Sequence, residues 1–244
     1  MSIEGINGVG KTAAARTTAA TLGTRCLLLD ELTDQAVDPL TERVIAALSA
    51  DGDPFLRTGH PVVETLAFAA LEVRKVERLA GRDLTGVAVI LEDRGVDSVA
   101  ACQAAILCSS LPERPPSSDG PAVIQGQGWP GEDDTLHSRA TGDVAERVLA
   151  SLRPWARIPD ATILLTGDPE VCAKRFTDRA GYPPLPASDV RILQHIETTY
   201  RQVAARDSDR YRVVDTAGLT PGQTATAVCD TVTTLLDRQV RHAR

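Results

Sequence analysis

The chain has 244 residues, a formal net charge of −7, and 43% hydrophobic residues, of which few are aromatic. That length supports one large domain with a sizeable core of Ala, Val, Leu and Ile, and the acidity excludes the basic balance that sequence-independent nucleic-acid binding needs, so no nucleic-acid partner is expected. No apolar run reaches membrane-spanning length and no signal peptide precedes the first motif, while the scattered cysteines (Cys26, Cys102, Cys108, Cys172 and Cys229) form no CxxC pair; a cytoplasmic protein with no membrane partner, no zinc site and no disulfide framework is expected.

In chain order, Met1 to Glu4 reads as a short strand whose pairing begins at the terminus itself. The run Glu4-Gly5-Ile6-Asn7-Gly8-Val9-Gly10-Lys11-Thr12 follows and fills the pattern of a phosphate-binding loop: Gly, four residues, Gly, Lys, Ser/Thr. Glycines let successive backbone N–H groups point inward at a polyphosphate. Lys11 brings a compact positive charge, the Thr12 hydroxyl can ligate Mg²⁺, and a helix opening near Gly10 adds its positive dipole end. The expected donor contacts are Asn7, Gly8, Val9, Gly10, Lys11, Thr12 and Ala13, with ATP and Mg²⁺ as the expected cofactors. An Ala- and Thr-rich helix runs from Lys11 to Leu22.

Four more apolar runs, Cys26–Leu29, Val87–Leu91, Ala161–Leu165 and Tyr211–Val214, are continuous rather than alternating, which suits strands covered on both faces. Helical patterns lie between and after them at Leu40–Ala50, Pro61–Ala80, Ser98–Cys108, Gly142–Leu152, Pro169–Arg179, Ser188–Ala205 and Pro221–Arg238. Strands alternating with helices predict a single α/β domain over residues 1–244, a doubly wound, five-stranded parallel sheet with helices on both faces. Residues 109–142 break the rhythm with Pro115-Pro116-Ser117-Ser118-Asp119-Gly120 and later Gly126, Gly128, Pro130 and Gly131. This irregular insert reads either as a functional lid or as a surface arm, with Trp129 and Glu132-Asp133-Asp134 as the residues that would cover a site.

Several separate stretches resemble thymidylate kinase and its relatives among the P-loop nucleotide and nucleoside kinases. They are the phosphate loop, Leu66-Ala67-Phe68-Ala69-Ala70, Asp93-Arg94 with Val96-Asp97-Ser98 and Gln103, and Asp168-Pro169-Glu170-Val171 with Lys174-Arg175 and Arg179-Ala180-Gly181. The segment from Asp189 to Ala204, with Tyr200, completes the likeness. It implies an ATP- and Mg²⁺-dependent phosphotransferase acting on a nucleoside monophosphate, with a LID at residues 175–187. By this likeness Lys11, Asp93, Arg94, Arg175 and Arg179 are the catalytic candidates and Thr12 and Asp93 the metal candidates. Phe68 would stack on the acceptor base, Arg57 and Arg94 would meet the acceptor phosphate, and Gln103 would hydrogen-bond the acceptor. Relatives of this group often form dimers, so a homodimer is among the expectations.

The departures concern the acceptor. Glu72 stands where the family carries an Arg that reads thymine, and Arg74, two positions on, faces another way on a helix. Glu72 one turn from Phe68 can accept from an amino group and would repel a carbonyl, which points to cytosine, guanine or another amino-bearing acceptor. Asp30-Glu31 after the second strand raises an alternative: a hydroxyl acceptor benefits from a general base, so Glu31 would suit a kinase of a nucleoside or nucleoside-like metabolite. A third reading, a non-catalytic nucleotide-binding protein, has no use for the arginines at 94, 175 and 179.

Overall fold

The structure is a computed structural model that describes residues 1–32, 38–49, 52–110 and 132–242; the greater part of the predicted insert, including Trp129, lies outside the described residues, as do the side chains of Glu132, Asp133 and Asp134. Five strands make one parallel sheet in the order β2-β3-β1-β4-β5. They are β1 (Ser2–Glu4), β2 (Cys26–Leu29), β3 (Val89–Asp93), β4 (Thr162–Thr166) and β5 (Tyr211–Asp215). The helices are α1 (Lys11–Leu22), α2 (Pro39–Leu48), α3 (Pro61–Leu79), α4 (Val96–Ser110), α5 (Glu132–Leu152), α6 (Pro169–Ala180), α7 (Ala187–Arg206) and α8 (Pro221–His242). Helices α1 and α8 pack together on one face, and α3, α4, α5 and α7 pack against one another on the other. A parallel sheet needs both faces covered, and the continuous apolar runs of β1, β4 and their neighbours meet that need: Ile3, Leu91, Ile163, Leu164 and Leu165 have no exposed surface.

The sheet centre is not wholly apolar. Ser2 and Glu4 of β1 face α4 and α7, where a buried polar group must find partners. Ser2 Oγ meets Thr162 Oγ1 at 3.2 Å, and the Thr162 hydroxyl donates to Asp97 Oδ2 at 2.8 Å. Arg210 forks onto both oxygens of Asp97 at 2.6 and 3.0 Å, tying the start of α4 to the α7–β5 turn. At the near end of β1 the Met1 ammonium donates to Ile90 O at 2.9 Å and the Met1 carbonyl accepts from Glu92 N at 3.0 Å, so pairing does begin at the first residue.

Three sequence expectations are adjusted. Strand β3 sits two residues later than the apolar run 87–91, because Glu92 and Asp93 continue the pairing with β1: Ser2 pairs with Glu92 and Ile3 with Asp93. Residues 109 and 110 belong to α4 and residues 132–142 to α5, so the predicted irregular insert is shorter at both ends. Residues 175–180 of the predicted LID are the last turns of α6, which ends at Gly181 in a left-handed C-cap (φ 68°), and α7 opens at Ala187.

Truncating Leu164 to Ala at the centre of β4 is expected to cost about 3 kcal/mol, lowering the melting temperature by roughly 6–12 °C for a domain of this size. A thermal melt shifted by less than about 2 °C would mean that β4 does not carry the core.

Candidate active site

The C-terminal ends of β1, β2 and β3 open into a cavity of about 640 Å³. This is the end of the sheet at which doubly wound folds bind ligands. The phosphate loop forms one wall. Gly8 and Gly10 hold φ of 82° and 107°, in the left-handed region, and a Cβ on Gly8 would come within 2.0 Å of the Cys172 carbonyl oxygen of α6. Only glycine fits there. Helix α1 starts directly at Lys11 with no side-chain cap, so its N-terminal amides and dipole face the loop side.

Lys11 is 4% exposed, and its Nζ donates to the Ile6 carbonyl at 2.8 Å. Burial, and then repulsion by Arg94, push its ammonium down to about 8. Beside it, Asp93 ends β3, 2% exposed. Its carboxylate takes a hydrogen bond from the Thr12 hydroxyl, its Oδ1 has no hydrogen-bond partner among the described residues, and burial pushes its carboxyl up. An orphaned carboxylate oxygen next to a hydroxyl is a hard-oxygen pair that fits a small divalent cation, one that keeps most of its shell as water and phosphate oxygen. Among the described residues no group of three or more His, Cys, Asp and Glu side chains is placed to hold a metal ion.

Arg94 is the hub beside the loop, just past the end of β3. It is a non-glycine residue at φ 68°, a conformation costing about 1–2 kcal/mol. Its Nε meets Glu31 Oε1 at 2.7 Å, NH1 reaches Gly5 O and Ser98 Oγ at 3.4 Å each, and NH2 donates to Asn7 Oδ1. Burial, the largest single effect, would lower its pKa, but Glu31, Tyr200, Cys102 and Asp93 together outweigh it and keep the guanidinium firmly charged. Burial would raise Glu31, yet Arg94, Lys11 and Arg179 hold it below the usual carboxylate range.

The cavity therefore brings together Asn7, Gly8, Gly10, Lys11, Thr12, Glu31, Phe68, Glu72, Arg94, Gln103 and Arg179. Gln103 is buried and its Oε1 accepts from the Thr65 hydroxyl at 3.0 Å. Glu72 is buried too, with Oε1 on Lys75 Nζ at 3.0 Å. Arg74 turns away, as helical spacing requires, and bonds Asp38 and Glu77 at 3.0 Å each. Five candidates lie off the cavity wall. Val9 is a core residue and Ala13 an exposed one on α1, while Asp93 sits below Thr12. Arg175 is exposed on α6, one turn before Arg179. Arg57 is engaged by Asp53 at 2.6 Å and Asp189 at 3.0 Å and stacks over Phe55.

Sequence reasoning missed Phe55, Cys102, Phe176 and Tyr182, all on the wall, the last two a tilted ring pair 6.2 Å apart. Phe176 was findable: it lies three positions before Arg179 and so shares its helix face. Lys75 had no such signal, since a lysine on a helix normally marks the solvated side.

No protein-family model matches the chain. Curated relatives do. The thymidylate kinase of Thermomicrobium roseum is 31% identical over 239 residues, covering 98% of this chain and 96% of the relative. The thymidylate kinase of Cereibacter sphaeroides is 26% identical over 234 residues, covering 94% and 91%. Likeness of 31% over nearly the whole of both chains settles the kinship: the chain belongs to the thymidylate kinase family of phosphotransferases.

Proposed function

We propose that the protein transfers the γ-phosphoryl group of ATP, as its Mg²⁺ complex, to a nucleoside monophosphate whose base presents an amino group. The observation that carries this reading is the convergence on one cavity of a buried ammonium from the phosphate loop and a largely buried guanidinium from the end of β3. Phosphoryl transfer asks for alignment and positive charge rather than covalent help. Lys11 and the loop amides would hold the donor phosphates, and Thr12 and Asp93 would hold Mg²⁺, which when bound neutralises charge on the donor phosphates. Arg94 would grip the transferring or acceptor phosphate with its planar fork. Arg179 already borders the cavity, and Arg175 on the same helix face would join it when α6 shifts toward the bound phosphates. Arg57, with its guanidinium committed to two carboxylates, is the weaker candidate for the acceptor phosphate.

On the acceptor side Phe68 would stack on the base and Gln103 would bond its edge or sugar. Glu72, anchored by Lys75, would accept from an exocyclic amino group and repel a carbonyl. This favours a cytosine- or guanine-type base over thymine. Glu31 supports a second reading, a hydroxyl acceptor, because a carboxylate lies on the cavity wall where a base is needed. Its tie to Arg94 at 2.7 Å weakens it as a base, so the monophosphate reading is preferred. A homodimer is also proposed, through the exposed Val62, Val63 and Leu66 of α3. We place the enzyme in the cytoplasm: its five cysteines are all free, and among the described residues no helix is long and apolar enough to cross a membrane.

A coupled assay with ATP, Mg²⁺ and a panel of nucleosides and monophosphates tests the reading. Turnover of cytosine or guanine monophosphates above thymidylate is expected. Turnover of nucleosides alone would favour the second reading, and none at all would contradict both.

Replacing Lys11 with Ala should lower kcat by about 10²–10³-fold without lowering the melting temperature, since a charge whose burial outweighs its favourable partners is removed. Near-normal kcat would remove the phosphate loop from the chemistry. Glu72→Gln should reduce kcat/KM for the amino-bearing acceptor by about 10–100-fold, the worth of about 1–3 kcal/mol of base discrimination; an unchanged ratio across the panel would take Glu72 out of recognition. The pH profile follows from Lys11, whose pKa in the free enzyme is depressed to about 8. The charged form binds phosphate, so kcat/KM for ATP should fall as pH rises through that value. A flat profile to pH ~10, the ordinary lysine range, would contradict it.

A further inference from the structure

The peptide group between Arg94 and Gly95 is held on both sides by buried side chains. Its carbonyl accepts from Lys75 Nζ at 3.1 Å, and its N–H donates to Glu4 Oε1 at 2.8 Å. The Arg94 N–H itself donates to Ile3 O at 3.2 Å. Arg94 is the residue with the left-handed backbone at the cavity edge, and such a conformation persists only where its surroundings over-determine it. Glu4 is itself fixed, since its Oε2 accepts from the Ser98 hydroxyl and, at 3.1 Å, from the Tyr200 phenol.

Lys75 comes from α3, the helix that carries Phe68 and Glu72 on the acceptor side of the cavity. Its side chain is 5% exposed. An ammonium has three protons, and Lys75 directs them to Glu72 Oε1 at 3.0 Å, Glu92 Oε2 at 3.2 Å and the Arg94 carbonyl. One buried cation thus joins the carboxylate on the acceptor wall to the backbone of the arginine on the phosphate wall.

We propose that Lys75 is a positioning residue for phosphoryl transfer: by gripping Glu72 and the Arg94 carbonyl together it sets the distance between the bound acceptor and the arginine that meets the transferring phosphate. It touches neither substrate. The proposal rests on the reading of Arg94 and Glu72 given above and adds the element that couples them. If Lys75 served only to neutralise Glu72 and Glu92, its loss would cost stability and would multiply with any active-site lesion. A positioning role acts through Arg94 and leaves no further effect once that side chain is gone.

The test is a double-mutant cycle with Lys75→Met and Arg94→Ala. Lys75→Met is expected to lower kcat by about tenfold or more while KM for ATP stays within about twofold, because the phosphate loop is untouched. In the Arg94→Ala background the same substitution should change kcat by less than about twofold. Independent, multiplying losses in the two backgrounds, or a wild-type kcat in Lys75→Met, would overturn the proposal. Amide hydrogen exchange supplies a readout that needs no turnover. Lys75→Met should speed exchange in the 93–98 segment while β4 stays protected, and unchanged exchange there would overturn the proposal even if the acceptor were still unidentified. Absence of turnover in the wild-type enzyme would instead count against the kinase reading alone. Should Lys75→Met fail to fold, Glu72→Gln/Lys75→Met carries the same comparisons measured against Glu72→Gln.

Discussion

A buried ammonium beside a largely buried guanidinium is the constraint around which this protein is arranged. Lys11 and Arg94 sit at the same end of the sheet in a chain whose net charge is −7. Burial costs each cation its hydration, and each is stabilised differently. Lys11 relies on the Ile6 carbonyl and is left with a depressed pKa, so an anion arriving in the loop regains energy that folding gave up. Arg94 is held by Glu31 and the loop itself through Gly5 and Asn7, and its charge is secure at any physiological pH. One cation is thus poised to gain from phosphate, and the other is a rigid fixture. That division fits an enzyme in which donor phosphates come and go against Lys11 while the transferring group is met by a group that does not move.

Around this pair the fold is mainly a means of alignment. β1 brings Gly5 to Thr12 past the sheet edge, and β3 delivers Asp93 and Arg94 in register with it, through Ser2 with Glu92 and Ile3 with Asp93. Helix α3 lays Phe68 and Glu72 along the far side, and α6 brings Arg179 to the rim. The polar side of β1, with Glu4, Ser98 and Tyr200, fixes α4 and α7 to the loop strand. Burial, and then the neighbouring Asp97, push the Glu4 carboxyl up, so the network is held together at the expense of an easily ionised group. Glu72 puts a carboxylate on the cavity wall, and Lys75 is the counter-ion that lets it stay there.

Much of this was legible in the residues. The phosphate loop, the five strands and the order of the helices follow from a contiguous motif and from apolar runs, both local signals. The end of β3 is hidden in the sequence because Glu92 and Asp93 look like the end of a buried run, whereas inside the fold Glu92 pairs with Lys75 and Asp93 accepts from Thr12. The first turns of α5 carry Glu132-Asp133-Asp134 next to Gly131 and read as loop chemistry. The commitment of Arg57 to Asp189, 132 residues away, and the triple engagement of Lys75 with Glu72, Glu92 and Arg94 are tertiary facts that no periodicity encodes. What sequence conveys here is which chemistry is present; which charges are free to act on a ligand is decided by packing.

The proposed chemistry requires the loop from Gly5 to Thr12 to grip a triphosphate with Lys11 as its charge. Titration calorimetry of the full chain with ATP in the presence of Mg²⁺ tests it most directly. Saturable binding at a single site, abolished in Lys11→Ala, is the expected result. No binding of ATP, or equal binding by the Lys11→Ala protein, would contradict the account.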